Sequence, residues 1–308
     1  MSSVYVVTFY EIAYIEKYEK LSRDLARLGR KENLTGTFFS TPQGVNGTLA
    51  GTKEGLNKIV SLLQDSYGLK EFKPTWSQSL KNPFKRFKVK LKERLLPLEG
   101  DFDPVRERGE HVDSKSWNEI IADKNTIVLD VRNKYETEIG SFKSSIVSQT
   151  DHFIDFPDFV DSNLDPKDKK KIAMFCTGGI RCEIASSYLI SQGFEDVCQL
   201  EGGVLKYLEN VEQDDQLWEG ECFVFDERVS VNGALEQGNF IQCFGCRRPL
   251  VPEEINSKFY VKGVSCRFCY NESSDLDKER FAQRQKQIDL ANQRGHKHMG
   301  VESKQSNE

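Results

Sequence analysis

The sequence predicts a multidomain protein that combines an α+β domain, an α/β domain with a parallel sheet and a small cysteine-rich C-terminal segment. The chain has 308 residues, more than one ordinary hydrophobic core needs. The order of strand and helix patterns changes near residue 100, and two Cys-x-x-Cys pairs follow residue 210. The predicted units are 1–99, a linker at 100–110, 111–210, 211–272, and a charged helical or disordered tail at 273–308.

The first unit alternates between strand and helix periods. Strands are predicted at 4–9, 36–40, 47–50, 71–77 and 84–91, and helices at 15–28 and 53–63. A β-α-β-β-α-β order is the ferredoxin-like, or acylphosphatase-like, arrangement, with helices on one face of an antiparallel sheet. This unit carries 17 Lys and Arg against 10 Asp and Glu in a chain of net charge −5, which suggests a polyanionic partner for this domain.

The second unit alternates buried strands with helices. Strands are predicted at 126–130, 171–175 and 197–200, and helices at 114–121, 181–192 and from 202 to 208. Such alternation is typical of a parallel sheet covered by helices.

The longest apolar runs are far below the roughly 20 residues of a membrane span, and the N-terminus lacks a basic region followed by a cleavage site. We therefore expect a cytoplasmic protein without a membrane partner. In that compartment eight cysteines indicate metal binding or catalysis rather than disulfides.

Cys176 follows a buried strand and begins a loop that leads into the next helix, with Thr177, Gly178, Gly179, Ile180 and Arg181 after it. A helix N-terminus and a nearby arginine lower a cysteine pKa, and two glycines allow the loop amides to turn inward as an anion cradle. The alternative is a buried packing cysteine, which the loop argues against. Cys182 is either a resolving thiol or, as we favour, a core or surface cysteine.

The run from Leu129 to Glu136, the Cys176 loop and the Gly202-Gly203 pair together resemble the rhodanese family. The resemblance implies that Cys176 carries a persulfide and that Asp130 and Arg132 brace the loop. Related phosphatases have five residues between cysteine and arginine, whereas only four separate Cys176 from Arg181. The smaller ring favours sulfur over phosphate chemistry.

The whole chain resembles the bacterial tRNA uridine(34) hydroxylase family. The resemblance rests on Gly44-Val-Asn-Gly-Thr48, Pro83-Phe84, the Cys176 loop, the paired Cys-x-x-Cys motifs and Arg294-Gly-His-Lys-His298. It implies oxygen-dependent 5-hydroxylation of the wobble uridine, with tRNA as partner and molecular oxygen as substrate. The chain departs from the family at Gln43, Ser141 and residues 145–151.

Basic residues are dense between 81 and 94. On a strand, Phe87, Val89 and Leu91 are predicted to face the core, leaving a basic ridge on the other face. The candidate RNA-binding residues are Lys81, Lys85, Arg86, Lys88, Lys90 and Lys92. The alternative is an edge strand whose lysines only prevent aggregation.

Cys243, Cys246, Cys266 and Cys269 have the spacing of a four-thiolate zinc site, which would be structural. The alternative is four reduced thiols without metal. His296 and His298 are expected to face solvent or RNA, and Cys198 and Cys222 to be packing residues.

Three functions remain open from sequence: the tRNA hydroxylase, a sulfurtransferase that carries a Cys176 persulfide, and a non-catalytic RNA-binding module, against which the intact loop argues. No dinucleotide-binding glycine motif and no two-His-one-carboxylate set is present in the sequence, so no nucleotide cofactor is expected. How oxygen would be activated, and the oligomeric state, do not follow from the sequence.

Overall fold

The computed structural model describes residues 4–70 and 72–294. Its N-terminal domain has the predicted ferredoxin-like order with one added strand. The elements are β1 (Val4–Ile12), α1 (Tyr18–Lys31), β2 (Thr35–Thr41), β3 (Gly44–Gly51), α2 (Lys53–Ser61) with a π-helical turn (Leu62–Ser66), β4 (Thr75–Ser79) and β5 (Phe87–Leu91). Both strands after α2 begin later than predicted.

The N-terminal sheet has the strand order β4-β1-β3-β2-β5. The pairs β4-β1, β1-β3 and β3-β2 are antiparallel, but β5 runs parallel to β2. The prediction of a wholly antiparallel sheet was therefore wrong. Gly47 pairs with both Phe9 and Phe38, and a Cβ at Gly47 would lie 3.1 Å from each ring. Gly47 of strand β3 therefore leaves room for two core aromatics.

The two faces of this sheet contact different partners. Phe9 and Phe38 pack with α1 and α2 in the domain core, whereas Ile12, with Tyr10 and Phe39 beside it, packs in a second core shared with the central domain. Both the helical face and the opposite face are thus covered. The residues predicted as linker take part in this contact, since Phe102 and Val105 pack against the shared core.

The central domain is a helix-covered parallel sheet, as predicted, with the strand order β6-β11-β10-β7-β9. Strands β7, β10 and β11 have the predicted bounds. The elements are β6 (Glu110–Val112), α3 (Ser114–Ala122), β7 (Thr126–Asp130), α4 (Lys134–Thr137), β8 (Gly140–Phe142), β9 (Ile146–Val147), α5 (Phe156–Asn163), β10 (Lys171–Phe175), α6 (Ile180–Ser191), β11 (Val197–Leu200) and α7 (Gly203–Asn210).

The C-terminal segment consists of short strand pairs and one long helix. The elements are β12 (Trp218–Gly220), β13 (Cys222–Phe223), β14 (Ser230–Val231), β15 (Ile241–Gln242), β16 (Pro249–Leu250) and α8 (Asp275–Gln293). Strand β12 pairs with β8 and thereby joins the segment to the central domain. Helix α8 has no buried residue, which agrees with the predicted solvated helix. His296 and His298 lie outside the described residues.

Among the helices of the described residues, none combines the length and the apolar character that a membrane crossing needs. This agrees with the short apolar runs of the sequence.

Candidate active site

Cys176 lies at the end of β10, and helix α6 begins four residues later at Ile180. The Gly179 amide donates a hydrogen bond to Cys176 Sγ at 3.1 Å, so the loop does turn an amide toward the sulfur. The amides of Val204 and Leu205 in turn donate to the carbonyls of Cys176 and Thr177, both at 3.0 Å. The start of α7 therefore holds the loop in place.

Gly203 shows why the second glycine of the Gly202-Gly203 pair is needed. Its φ is +65°, and a Cβ there would lie 2.4 Å from the Cys176 carbonyl oxygen and 2.7 Å from the Gly179 nitrogen. Helix α7 can approach the loop this closely only without a side chain at its first position.

The Cys176 thiol has a pKa lowered from its ordinary 9.0 to about 6. Burial raises this pKa, but the hydrogen bond from the Cys182 thiol, the Arg181 charge and the amides of Cys182 and Arg181 outweigh that effect. The pKa of the Cys182 thiol is raised well above its ordinary value by burial and by Cys176. Cys176 is thus a thiolate at neutral pH, and Cys182 is a protonated donor.

Arg181 forms a buried ion pair with Glu136, the N3 residue of the capping box that begins α4. The two guanidinium nitrogens donate to the carboxylate at 2.6 and 2.8 Å, and the Thr177 hydroxyl donates to it at 3.2 Å. Burial raises the Glu136 pKa, but the Arg181 charge outweighs it and lowers the pKa. Glu136 was assigned no role from sequence; its place as a capping-box glutamate was the available signal.

Asp130 and Arg132 form a fully buried ion pair beneath the loop, with Arg132 donating to Asp130 at 2.9 and 2.7 Å. Arg132 also donates to the Gly140 carbonyl at 2.6 Å, and the Ser141 hydroxyl to Asp130 at 2.7 Å. Asp130 pairs in register with Phe175, the residue before Cys176. The pair therefore supports the strand ends from which the loop begins.

A third buried carboxylate, Glu183 on α6, lies between the two domains. It accepts hydrogen bonds from the Tyr10 hydroxyl at 2.9 Å, from His111 at 2.8 Å and from Gln199 at 3.2 Å, and pairs with Arg108 at 3.2 Å. The hydrogen bond to Glu183 raises the His111 pKa.

Tyr10 brings the N-terminal domain onto the loop, because a Cβ at Gly179 would lie 2.5 Å from the tyrosine hydroxyl. Burial and the nearby Glu183 carboxylate raise the Tyr10 pKa well above its ordinary value. Sequence reasoning missed this group, whose members come from three distant segments.

The six candidate RNA-binding residues are all exposed, but they do not share one surface environment. Lys90 and Lys92 lie over the Phe39 ring, at 5.7 and 4.5 Å from its centroid, on the sheet face that meets the central domain. Lys85 pairs instead with Glu227 of the C-terminal segment at 2.9 Å. Lys81, Arg86 and Lys88 are also exposed. Leu91, predicted to be a core residue, is 50% exposed because it ends the strand.

The four paired cysteines converge as their spacing predicted. The Sγ atoms of Cys243, Cys246, Cys266 and Cys269 lie within 4.8 Å of one another, with separations of 3.7 to 3.9 Å for the closest pairs. Tetrahedral coordination with zinc–sulfur bonds of about 2.3 Å requires sulfur separations of about 3.8 Å. The cluster can therefore hold a metal ion, and its donor set suits zinc.

Cys198 and Cys222 are buried in another core of the central domain, which contains Trp117 and Phe175 and is separate from the core shared with the N-terminal domain. This is the environment expected of packing residues.

The comparisons with known proteins divide the chain in the same way as the fold. Residues 4–95 match the model of the UPF0176 acylphosphatase-like domain, and residues 114–210 match that of the rhodanese-like domain. Among solved structures, the rhodanese-like domain of an Anabaena sp. protein is 21% identical, with 36% of this chain and 78% of that one covered and a TM-score of 0.31. A rhodanese-related protein of Thermoplasma volcanium is 26% identical, with 32% and 91% covered and a TM-score of 0.26.

Proposed function

This chain belongs to the tRNA uridine hydroxylase (UPF0176) family, whose acylphosphatase-like and rhodanese-like domains it carries in that order, and from this premise we propose that it hydroxylates C5 of the wobble uridine of tRNA. Molecular oxygen is the proposed oxidant and Cys176 the reacting group. tRNA as substrate implies a cytoplasmic reaction.

The observation that carries the proposal is a thiolate at the junction of two domains. Cys176, with a pKa of about 6, shares a hydrophobic core with Ile12 of the N-terminal sheet. The exposed amines of Lys90 and Lys92 lie over Phe39 on the same sheet face. Cations in this position can bind the phosphates of an RNA whose base reaches the catalytic loop.

The overall reaction balances with one further reactant. One atom of dioxygen enters the C5–H bond of uracil to give C5–OH, and the other leaves as water. Water formation takes two electrons and two protons, which we assign to a thiol-class reductant that becomes a disulfide. The cysteine loop, which favours the thiolate, suits thiol redox chemistry.

Nucleoside mass spectrometry of tRNA from a strain that lacks the gene tests this function. Complementation with the wild type should restore 5-hydroxyuridine, and Cys176→Ala should not. Cys198→Ala, which changes another buried cysteine of the same domain away from the loop, is the matched control and should restore it. Restoration by Cys176→Ala would contradict the proposal, and unchanged nucleosides in the deletion strain would favour a non-catalytic RNA-binding module.

The second candidate function is sulfur transfer, which the rhodanese-like domain favours. Attack of the Cys176 thiolate on the outer sulfur of thiosulfate would give a persulfide and release sulfite. Incubation with thiosulfate would then add the mass of one sulfur atom to the Cys176 peptide. Loss of a thiolated nucleoside in the deletion strain, instead of 5-hydroxyuridine, would favour this function.

We further propose that the four-cysteine cluster holds a structural zinc ion. The segment around it has a small core, in which Leu250 packs with the buried cysteines, so a metal can supply stability that apolar burial does not.

A further inference from the structure

We propose that Phe225 forms a stacking subsite for the target nucleobase beside the Cys176 loop, an inference that rests on the proposed function. The ligand class is the uracil ring of an unpaired nucleotide. Phe225 belongs to the C-terminal segment, outside both matched domains.

Phe225 is the exposed apolar residue of a stretch in which, apart from Glu227, its neighbours are buried. Its exposed fraction is 63%, whereas Phe223, Val224, Asp226 and Arg228 are each at most 8% exposed. Single exposed apolar residues are common and need no explanation by themselves. The position of this ring and the rigidity of its turn distinguish it from that background.

The ring lies on the catalytic loop. The Arg181 guanidinium carbon is 5.9 Å from the Phe225 ring centroid, and the Phe223 ring packs edge-on against Phe225 at 5.1 Å. Arg181 is itself fixed by its two hydrogen bonds to Glu136. A fixed cation and a buried aromatic therefore hold the ring, and most of the residue remains exposed.

The turn that carries Phe225 is closed by hydrogen bonds at its base and inside it. The Val224 amide donates to the Val229 carbonyl at 2.9 Å, and the Val229 amide to the Asp226 carbonyl at 3.1 Å. Arg228 donates to the Asp226 carboxylate at 2.6 Å in a buried ion pair. Val229 has a φ of +68°, which is strained for a β-branched residue and persists only where the surroundings enforce it.

The N-terminal domain anchors the same turn. Arg228 donates to the Ser77 hydroxyl at 3.0 Å, and the Glu227 amide to the Pro83 carbonyl at 3.0 Å. Glu227 also pairs with Lys85. An RNA bound along the basic strand would thus approach a turn that already presents an aromatic ring in one orientation.

One position of the loop that contains Arg181 is open. A Cβ built at Gly178 would meet no atom within 4 Å, whereas the Gly179 and Gly203 positions are closed by neighbouring atoms. Gly178 and Arg181 belong to the same short loop, and the Arg181 charge also lowers the Cys176 pKa, so a base stacked on Phe225 would lie close to a cation that acts on the reacting sulfur. Unpaired bases are commonly bound by stacking on aromatic side chains.

Binding of anticodon stem-loop RNA to the full-length protein tests the subsite. The RNA carries uridine at position 34, or an abasic nucleotide there, and the variants are Phe225→Leu and Phe225→Trp. Base–aromatic stacking contributes about 1 to 3 kcal/mol, so Phe225→Leu should weaken binding of the uridine RNA about 5- to 150-fold. It should leave binding of the abasic RNA unchanged, and Phe225→Trp should retain affinity for the uridine RNA.

Tyr270→Leu is the matched control, because this residue is a partly exposed aromatic of the same segment whose ring packs on Phe259. It should bind both RNAs as the wild type does. Equal weakening of both RNAs by Phe225→Leu, or no weakening of either, would overturn the subsite while leaving the proposed function intact. Failure of the wild type to bind either RNA would overturn both proposals.

Discussion

Substitution of Cys182 tests how the protein keeps Cys176 ionised. The Cys182 thiol hydrogen bond is the first among the effects that lower the Cys176 pKa, ahead of the Arg181 charge. Cys182→Ala removes this donor, whereas Cys182→Ser keeps a hydroxyl donor at the same buried position. The two variants therefore differ chiefly in whether the thiolate retains its partner.

The expected size of the effect follows from the hydrogen bond. A bond to a charged group contributes about 1.5 to 3 kcal/mol, and one pKa unit corresponds to about 1.4 kcal/mol. Because a thiol is a weak donor, we expect the lower end, a rise of about one unit in the Cys176 pKa. The thiolate fraction at pH 6 should then fall about fivefold, while Cys182→Ser should keep a pKa near the wild-type value of about 6.

The pH dependence of Cys176 alkylation by iodoacetamide measures this pKa directly. The chain has eight cysteines, so the modified Cys176 peptide should be quantified by mass spectrometry. An identical midpoint in the wild type and both variants would refute the role of Cys182 as donor. The Arg181 charge and the loop amides would then account for the lowered pKa.

Three further predictions concern stability and metal. Glu136→Gln leaves the buried Arg181 charge without its counter-ion. It should lower the free energy of unfolding, measured in urea, by about 3 to 5 kcal/mol. Glu138→Gln, the control at an exposed site, should have little effect. Because the Cys176 pKa is lowered from 9.0 to about 6, its ionisation stabilises the fold above pH 9 and this contribution is lost as the pH falls to 6. The stability of the wild type relative to Cys176→Ser should therefore rise by about 3 kcal/mol between pH 6 and pH 9, and a flat difference in urea titrations would contradict the lowered pKa. Elemental analysis should find zinc in the wild type but not in Cys269→Ser, which lacks one of the four ligands. The control Cys222→Ser changes a cysteine outside the cluster and should retain zinc. A wild-type protein that contains no zinc when purified without chelator would contradict the metal assignment.

The sequence was most informative where one physical requirement dominates. Strands at 126–130, 171–175 and 197–200 were predicted with their observed bounds, because a strand buried on both faces needs a continuous apolar run. Strand β5 was predicted to begin too early, because strand alternation does not reveal where pairing with β2 begins. Leu91 was placed in the core but is exposed at the end of the strand. The parallel pairing of β5 depends on the path of residues 80–86 and has no local signal.

The candidate site was predictable where its residues are adjacent in the chain. Cys176 and Arg181 belong to one loop, and the four cysteines have a spacing set by zinc coordination. Glu136 and Phe225 both contact Arg181, and Tyr10 contacts the loop at Gly179. All three come from segments that are far from the loop in sequence. Only the assembled fold brings such residues together.

The most direct test of the central claim is the reaction of purified full-length protein with tRNA that has an unmodified uridine at position 34, in the presence of a thiol reductant. Under air, mass spectrometry of the nucleosides should show 5-hydroxyuridine with the wild type, none with Cys176→Ala, and none with the wild type under anaerobic conditions. Product formed by Cys176→Ala, or by the wild type without oxygen, would contradict the account.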